Sequence, residues 1–480
     1  MRLTAKMPTQ RLARLVPWIV AAVGVVATIV ILYPGQYPFD SAYQLWQARD
    51  GQFNDLSPVA MTALWSLMLK VNANPASLLC LNLAMFWSGL ALCVVAISGM
   101  QLVRAALLLA LGMAPLTLVE MAHLLTDAHM AAVLMLATGL AAWGLTKGGR
   151  GAMLSCLVLL VYAGLVRHNA LAAVLPYSAV VAPAMMPKRR RDWNAVWLAA
   201  IALGVLSLAT AFALDRALTV QRMTVWPTIA MWDLAALSVD RGALLLPSFT
   251  HGPGLTVEEL RKTGAFNPTS TTLLFQRTSS GMRDGLAAPF TPDQLLELRR
   301  AWIDAVRQNP DVYTRHRLRT FWLLIGAHNG EFQGVPYFVD RVQYRDNPPL
   351  PTALAQGLQQ TFYTFALELR SSWIFAALPY LVLNVVALVI GWTHRDRPTA
   401  RLAVAVSGSA LLYAASFLPL APAADLRYLT WPIVAGPLAL AFSLSRFAGT
   451  KCNDENADAG SSSSLQSAGT LARTAAPAQF

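Results

Sequence analysis

LVPWIVAAVGVVATIVILYPGQYPFDSAYQLWQARDGQFNDLSP, residues 15–58, holds the change of character that decides how this chain folds. Residues 15–33 carry no charge, and at about 1.5 Å per residue they reach across a hydrocarbon layer about 30 Å thick. Arg2, Lys6, Arg11 and Arg14 precede the run, no small-x-small cleavage site follows it, and it outruns the core of a signal peptide, so it reads as an uncleaved first span. The turn formers Pro34, Gly35 and Pro38 then close it, and Asp40 stands just beyond its end.

The rest of the chain repeats the pattern. Hydrophobic residues make up 56% of the 480 and charged residues only 13%, about half the share of a soluble protein, which excludes an ordinary cytosolic enzyme. Uncharged stretches near 15–33, 76–99, 105–119, 128–146, 152–166, 170–186, 193–214, 372–392, 402–420 and 429–445 predict an all-α polytopic membrane protein with about 10 transmembrane helices. If the N-terminus is cytoplasmic, the loops on that face hold Arg104, then Lys147 and Arg150, then Lys188 to Arg191, then Arg395, Arg397 and Arg401, then Arg446 and Lys451. That is the positive-inside pattern, and it assigns the net charge of +12 to orientation and not to nucleic acid. Both termini fall in the cytoplasm.

Four parts follow. Residues 1–214 form an N-terminal membrane module with a first outer loop at 34–75. Residues 215–371 form a mostly helical extracytoplasmic segment between spans seven and eight, with capping boxes expected at Thr256/Glu259 and Thr291/Gln294 and Asp311 expected to cap a third helix. Residues 372–446 form a C-terminal three-helix membrane module, and 447–480 a disordered cytoplasmic tail. Cys80, Cys93, Cys156 and Cys452 show no CxxC spacing and imply neither a disulfide framework nor a zinc site.

The acids say where carboxylate chemistry would lie. Of the 25, 13 fall in residues 216–370 and three in the tail; seven of the other nine (Asp40, Asp50, Asp55, Glu120, Asp127, Asp215 and Asp425) map to the outer face. In the first outer loop, Ser41–Gln47 and Val59–Lys70 read as short surface helices anchored at the interface by Trp46 and Trp65. Asp40 either caps the first of these or, at the border of water and lipid, accepts a proton from a hydroxyl.

Other positions also carry two readings. Arg167 with His168, and Arg427 with Tyr428, lie in outer turns, where they anchor at the headgroup level or grip a lipid-linked phosphate. Glu120, His123 and Asp127, spaced by three and four, would share a helical face and bind sugar hydroxyls or a divalent ion; otherwise Asp127 caps span four. Asp233 opens an amphipathic stretch that contacts acceptor or simply lies on the surface. Arg315, Arg317 and Arg319, at alternate positions, read as a solvated basic face.

The order of a first span, an early Asp and the sequence FDSAYQLWQARDGQFNDLSP resembles the GT-C superfamily of polytopic glycosyltransferases, in particular bacterial members that use polyprenyl-phosphate sugars. RHNA at 167–170, WDLAALS at 232–238, NPDVYTRHRLRTF at 309–321 and DLRYLTW at 425–431 agree with it, whereas Asp55-Leu56-Ser57-Pro58 lacks the His that relatives often place two residues after this Asp. The resemblance implies a GT-C-like fold in a bacterial inner membrane, an extracytoplasmic active site and Asp40 as the catalytic carboxylate. It further implies a polyprenyl-phosphate-linked donor near Arg167, His168, Arg427 and Tyr428. Asp55, Glu120, His123, Asp127 and Asp233 would then contact sugar or an acceptor that is glycan, glycolipid or protein. No nucleotide motif is present, as a lipid-linked donor requires none, and no metal or other cofactor is assigned beyond the option of a divalent cation. Two other functions fit less well. An O-antigen ligase or polymerase does not need Asp40 directly after span one, and a lipid-linked sugar transporter usually carries mid-membrane charge and an internal repeat.

Overall fold

The computed structural model describes residues 8–97, 100–147, 149–167, 169–185, 193–252, 254–262, 266–267, 269, 271, 274, 290–326 and 341–446. These residues form helices and loops, with isolated bridges such as Gln36 with His123 and Asn54 with Gln221, and no β-strand.

Among the described residues, five helices are long and apolar enough to cross a membrane: α1 (Pro8–Leu32), α4 (Ser77–Ala96), α7 (Thr126–Lys147), α11 (Trp193–Leu218) and α18 (Pro398–Leu420). Between them in chain order come α2 (Phe39–Asp50), α3 (Val59–Val71), α5 (Gln101–Gly112), α6 (Pro115–Met121), α8 (Arg150–Val166), α9 (Leu171–Val174), α10 (Ser178–Met185), α12 (Trp226–Arg241), α13 (Val257–Lys262), α14 (Pro292–Gln308), α15 (Pro310–Leu324), α16 (Gln356–Leu369) and α17 (Leu378–Thr393). The last helix is α19 (Thr430–Leu444).

The protein is therefore helical and membrane-compatible; of the ten stretches expected to span, five are single helices of spanning length among the described residues, or six if α5 and α6 make one span bent by 54°. Prolines explain much of the difference. Ala114, forced out of helical geometry before Pro115, has ψ 128° and breaks the predicted 105–119 run. Pro176 sits in a 3-10 turn that divides 170–186 between α9 and α10. Helices α8, α17 and α19, with 17, 16 and 15 residues, reach only about 22–26 Å at about 1.5 Å per residue.

Small residues set the closest helix contact. At Gly89 of α4 a Cβ would stand 2.4 Å from the Met135 carbonyl oxygen of α7, and at Gly139 of α7 one would stand 2.4 Å from the Gly89 carbonyl oxygen. Backbone atoms cannot swing aside as a side chain can, so the two axes depend on these glycines. Gly89→Ala is expected to lower the melting temperature in detergent, by a cost of about 1–3 kcal/mol for overpacking. Gly151→Ala, where a Cβ meets nothing within 4 Å, is the control. Equal melting of the two variants would contradict this reading.

The first loop turns inward. Trp65 is fully buried and its indole N–H donates to the Pro75 carbonyl at 3.2 Å, and Trp46 is also buried, so neither is the expected interfacial anchor. A second core joins α12, α13, α14 and α15 around Trp232, Leu260, Leu298 and Val312. Its helix starts follow the sequence in part. Thr291 and Gln294 exchange both capping-box bonds, and Thr256 Oγ1 accepts from the Glu259 amide at 3.1 Å. Asp311 does not cap α15; it lies 3.4 Å from Arg241 and 3.6 Å from Arg315.

The 215–371 segment is divided between two cores. Its last part leaves the second core and returns to the bundle, where α16 packs along α1 and the Gln359 amide donates to the carbonyls of Ile31 and Tyr33 at 3.2 and 2.8 Å. Helices α17, α18 and α19 pack on one another, and α19 also packs on α7. The turn between α18 and α19 is thereby brought over the first loop. Residues 447–480, the expected disordered tail, lie outside the described residues.

Candidate functional site

The turn after α18 begins at Asp425, whose carboxylate accepts from the Arg427 amide at 3.3 Å and opens a 3-10 turn over Leu426–Leu429. This short side chain-to-backbone bond presets the Arg427 side chain. Its guanidinium places Nε 2.6 Å from Asp425 Oδ2 and donates from Nη1 to Asp40 Oδ2 at 2.8 Å. Burial alone would weaken the Arg427 proton, yet Asp425 and Asp40 hold it well above the ordinary arginine range, so this cation is permanent.

Asp40 does not cap its helix. Helix α2 begins one residue earlier, at Phe39, with Pro38 at the cap and no side-chain cap bond. The Asp40 side chain is 48% exposed and that of Arg427 22%, so the pair lies at the edge of solvent.

Tyr428 lies beside both arginines singled out in the sequence. Arg427 and Arg167 stand 5.3 and 5.1 Å from its ring centroid, and the Phe417 ring stacks against it at 5.2 Å. Arg167 forms an ion pair with Asp127 in the first turn of α7. Two cations from separate turns thus share one aromatic ring, with a carboxylate bonded to each, an arrangement able to receive an anionic group. Tyr428 stays protonated, because burial and then Asp425 raise its pKa against the opposing pull of Arg427.

Glu120 and His123 border the same turn, but not on one helical face with Asp127. Glu120 lies in the last turn of α6, His123 in the connection, and Asp127 belongs to α7. Thr430 Oγ1 is 2.9 Å from Glu120 Oε2 and 2.6 Å from the Arg427 carbonyl oxygen, which ties Glu120 to the arginine turn. His123 Nδ1 is buried and has no hydrogen-bond partner among the described residues. No group of three or more His, Cys, Asp or Glu side chains arranged to hold a metal occurs among the described residues.

Burial pushes the His123 pKa down to about 4, with Asp425 opposing and Arg427 assisting. Between pH 6.5 and 4 the unfolded chain binds a proton here that the folded chain refuses, so stability falls as pH falls through that window. The shift from 6.5 corresponds to about 3 kcal/mol. Native protein is expected to melt lower at pH 4.5 than at pH 7, and His123→Gln to flatten that dependence. Identical pH profiles for native and variant would remove His123 as the cause.

The other predicted residues fall elsewhere. Asp55 accepts from the Met223 backbone N–H and pins the first loop to the chain after α11, where Val220 N–H also donates to Phe53 at 2.8 Å. Asp233 is fully buried in the second core and meets Arg317 at 2.6 Å, Trp302 Nε1 at 3.0 Å and His316 at 3.3 Å. It presents no surface to an acceptor, and Arg317, 3% exposed, is not part of a solvated face. His168 lies outside the described residues.

Reasoning from sequence missed Asp425 as the carboxylate that orients Arg427, although the Asp-x-Arg spacing of an Asx turn was visible in DLRYLTW. It also missed Thr430 and Phe417, which carry no signal apart from their position near that turn. Compared with protein-family models, curated proteins and solved structures, the chain matches none.

Proposed function

We propose that this chain is an integral membrane glycosyltransferase that moves a sugar from a polyprenyl-phosphate donor to an acceptor glycan, glycolipid or protein at the outer face of a bacterial inner membrane. The observation that carries the reading is the Asp40–Arg427 bond at 2.8 Å, which joins a half-exposed carboxylate to a permanent cation across 387 residues of sequence. Arg167 beside the same Tyr428 ring adds a second cation. The short motifs that resemble GT-C enzymes give the direction of the chemistry. About ten spans, with both termini cytoplasmic, belong to the same proposal, with the shorter apolar helices completing the count.

Donor phosphate oxygens would compete with Asp40 for Arg427, leaving the carboxylate free for the acceptor hydroxyl. The acceptor oxygen then bonds to the anomeric carbon as its proton passes to Asp40. The bond from the anomeric carbon to the phosphate oxygen breaks, its electron pair leaves on the phosphate, and Arg427 and Arg167 meet the added charge. Reconstituted protein supplied with radiolabelled polyprenyl-phosphate hexoses is expected to move label into an envelope acceptor fraction, and Asp40→Asn to abolish this. Native-rate transfer by Asp40→Asn would remove Asp40 as the base, and label crossing the bilayer without transfer would favour a transporter.

A further inference from the structure

Beside Asp40, residues 342–347 are fastened across α2. The Val342 amide donates to the Tyr37 carbonyl at 2.9 Å and the Asn347 side-chain amide to the Ala42 carbonyl at 2.8 Å. Arg49 of α2 donates back to the Asp346 carbonyl and to Asn347 Oδ1 at 3.1 and 3.2 Å. These bonds hold Tyr344 edge-on to three rings of one α2 face, Phe39, Tyr43 and Trp46, at centroid separations of 5.5, 5.3 and 6.0 Å. Asn54 fixes the Tyr43 hydroxyl from the far side of the loop.

Arg345 completes the surface. Its backbone has φ 47°, a left-handed conformation that costs a non-glycine residue, and it places the guanidinium 4.0 Å above the Trp46 ring centroid. The neighbouring charges are already matched, Asp40 by Arg427 and Asp346 by Arg49, whereas Arg345 is exposed and pairs with no carboxylate among the described residues. Phe39 adjoins Asp40 in sequence and leaves 51% of its surface open. Aromatic faces stack on the C–H faces of a sugar ring, and a guanidinium lying flat on a ring keeps its N–H edge for a carboxylate or phosphate.

We infer that Phe39, Tyr43, Tyr344 and Arg345 form an acceptor subsite for a sugar ring bearing an anionic group, placed so that a hydroxyl of that ring reaches Asp40. The inference rests on the transferase reading for its role, but not for binding. The charge and the rings divide the work: Arg345 selects the anion, and the aromatic surface holds any sugar of suitable shape. Arg345 is thus a specificity residue with no part in the Asp40 chemistry.

The test uses full-length protein in nanodiscs with methyl β-glucuronide and methyl β-glucoside, which differ only at C6, a carboxylate in one and a hydroxymethyl group in the other, followed by saturation-transfer NMR from aromatic protons. Native protein is expected to bind the glucuronide about tenfold more tightly. Arg345→Asn, which tolerates the left-handed backbone, should bring the two ligands level, and Phe39→Leu should weaken both while keeping the preference. Equal binding of both ligands by native protein, or an unchanged preference in Arg345→Asn, would overturn the subsite. Transfer assays on the same preparations separate the two ideas. A glucuronide preference without any transfer by native protein would reject the transferase role and uphold the binding site, and transfer without the preference would do the reverse.

Discussion

Arg427→Lys is expected to lower sugar transfer by about 10²–10³-fold, the usual loss when a positioned donor to a developing negative charge is removed, while the melting temperature stays close to that of native protein. Arginine reaches two carboxylates from two different edges, Asp425 through Nε and Asp40 through Nη1. A lysine ammonium keeps the charge but is a single point on a flexible stem, so it cannot hold both directions at once. If Arg427 served only to supply positive potential near the membrane, the substitution would cost less than tenfold. Arg167→Lys should cost less than Arg427→Lys, because the paired acid of Arg167 is Asp127 and not the proposed base. Turnover at saturating donor, measured on folded protein, decides the matter: a rate for Arg427→Lys within about threefold of native would remove Arg427 from the departing phosphate.

The long apolar helices were legible because lack of charge over about 20 residues has one dominant physical cause. Residues 15–33, 76–99, 128–146, 193–214 and 402–420 accordingly coincide with the five long apolar helices. The same signal is blind to bends, since an apolar stretch interrupted at Pro115 stays as hydrophobic as an unbroken one. Asp40, Arg167, Arg427 and Tyr428 could each be singled out by type and loop position, but not paired. A bond across 387 residues leaves no periodicity in the chain. Asp233 and Arg317 failed for a related reason. Alternate arginines at 315, 317 and 319 cannot share a helical face, and it is this divergence that turns Arg317 inward while Arg315 stays 67% exposed. Which of the three turned inward depended on a carboxylate from another helix, 84 residues away.

That buried pair sets the second large effect. Asp233→Asn is expected to destabilise the α12–α15 core by about 3–5 kcal/mol, because it leaves a desolvated guanidinium without its counter-charge. Its Oδ2 accepts from both Arg317 and the Trp302 indole N–H, and the uncharged amide that replaces the carboxylate holds the guanidinium less firmly. Asp233→Leu with Arg317→Met should recover much of the loss, as apolar replacement of both members of a buried pair usually does. A melting temperature for Asp233→Asn equal to the native one would show that water reaches this site. The double variant also isolates a second role. Arg317 Nη1 donates to the Ala421 carbonyl at 2.8 Å, and the Ala424 amide donates to the Thr269 carbonyl at 2.8 Å, so the second core is fastened to the chain just before Asp425. A double variant that regains its stability but transfers sugar slowly would locate that loss in the turn. Arg317 would then be a positioning residue for Arg427, fixing the height at which the guanidinium meets Asp40. Recovery of both stability and transfer would instead confine Arg317 to the core.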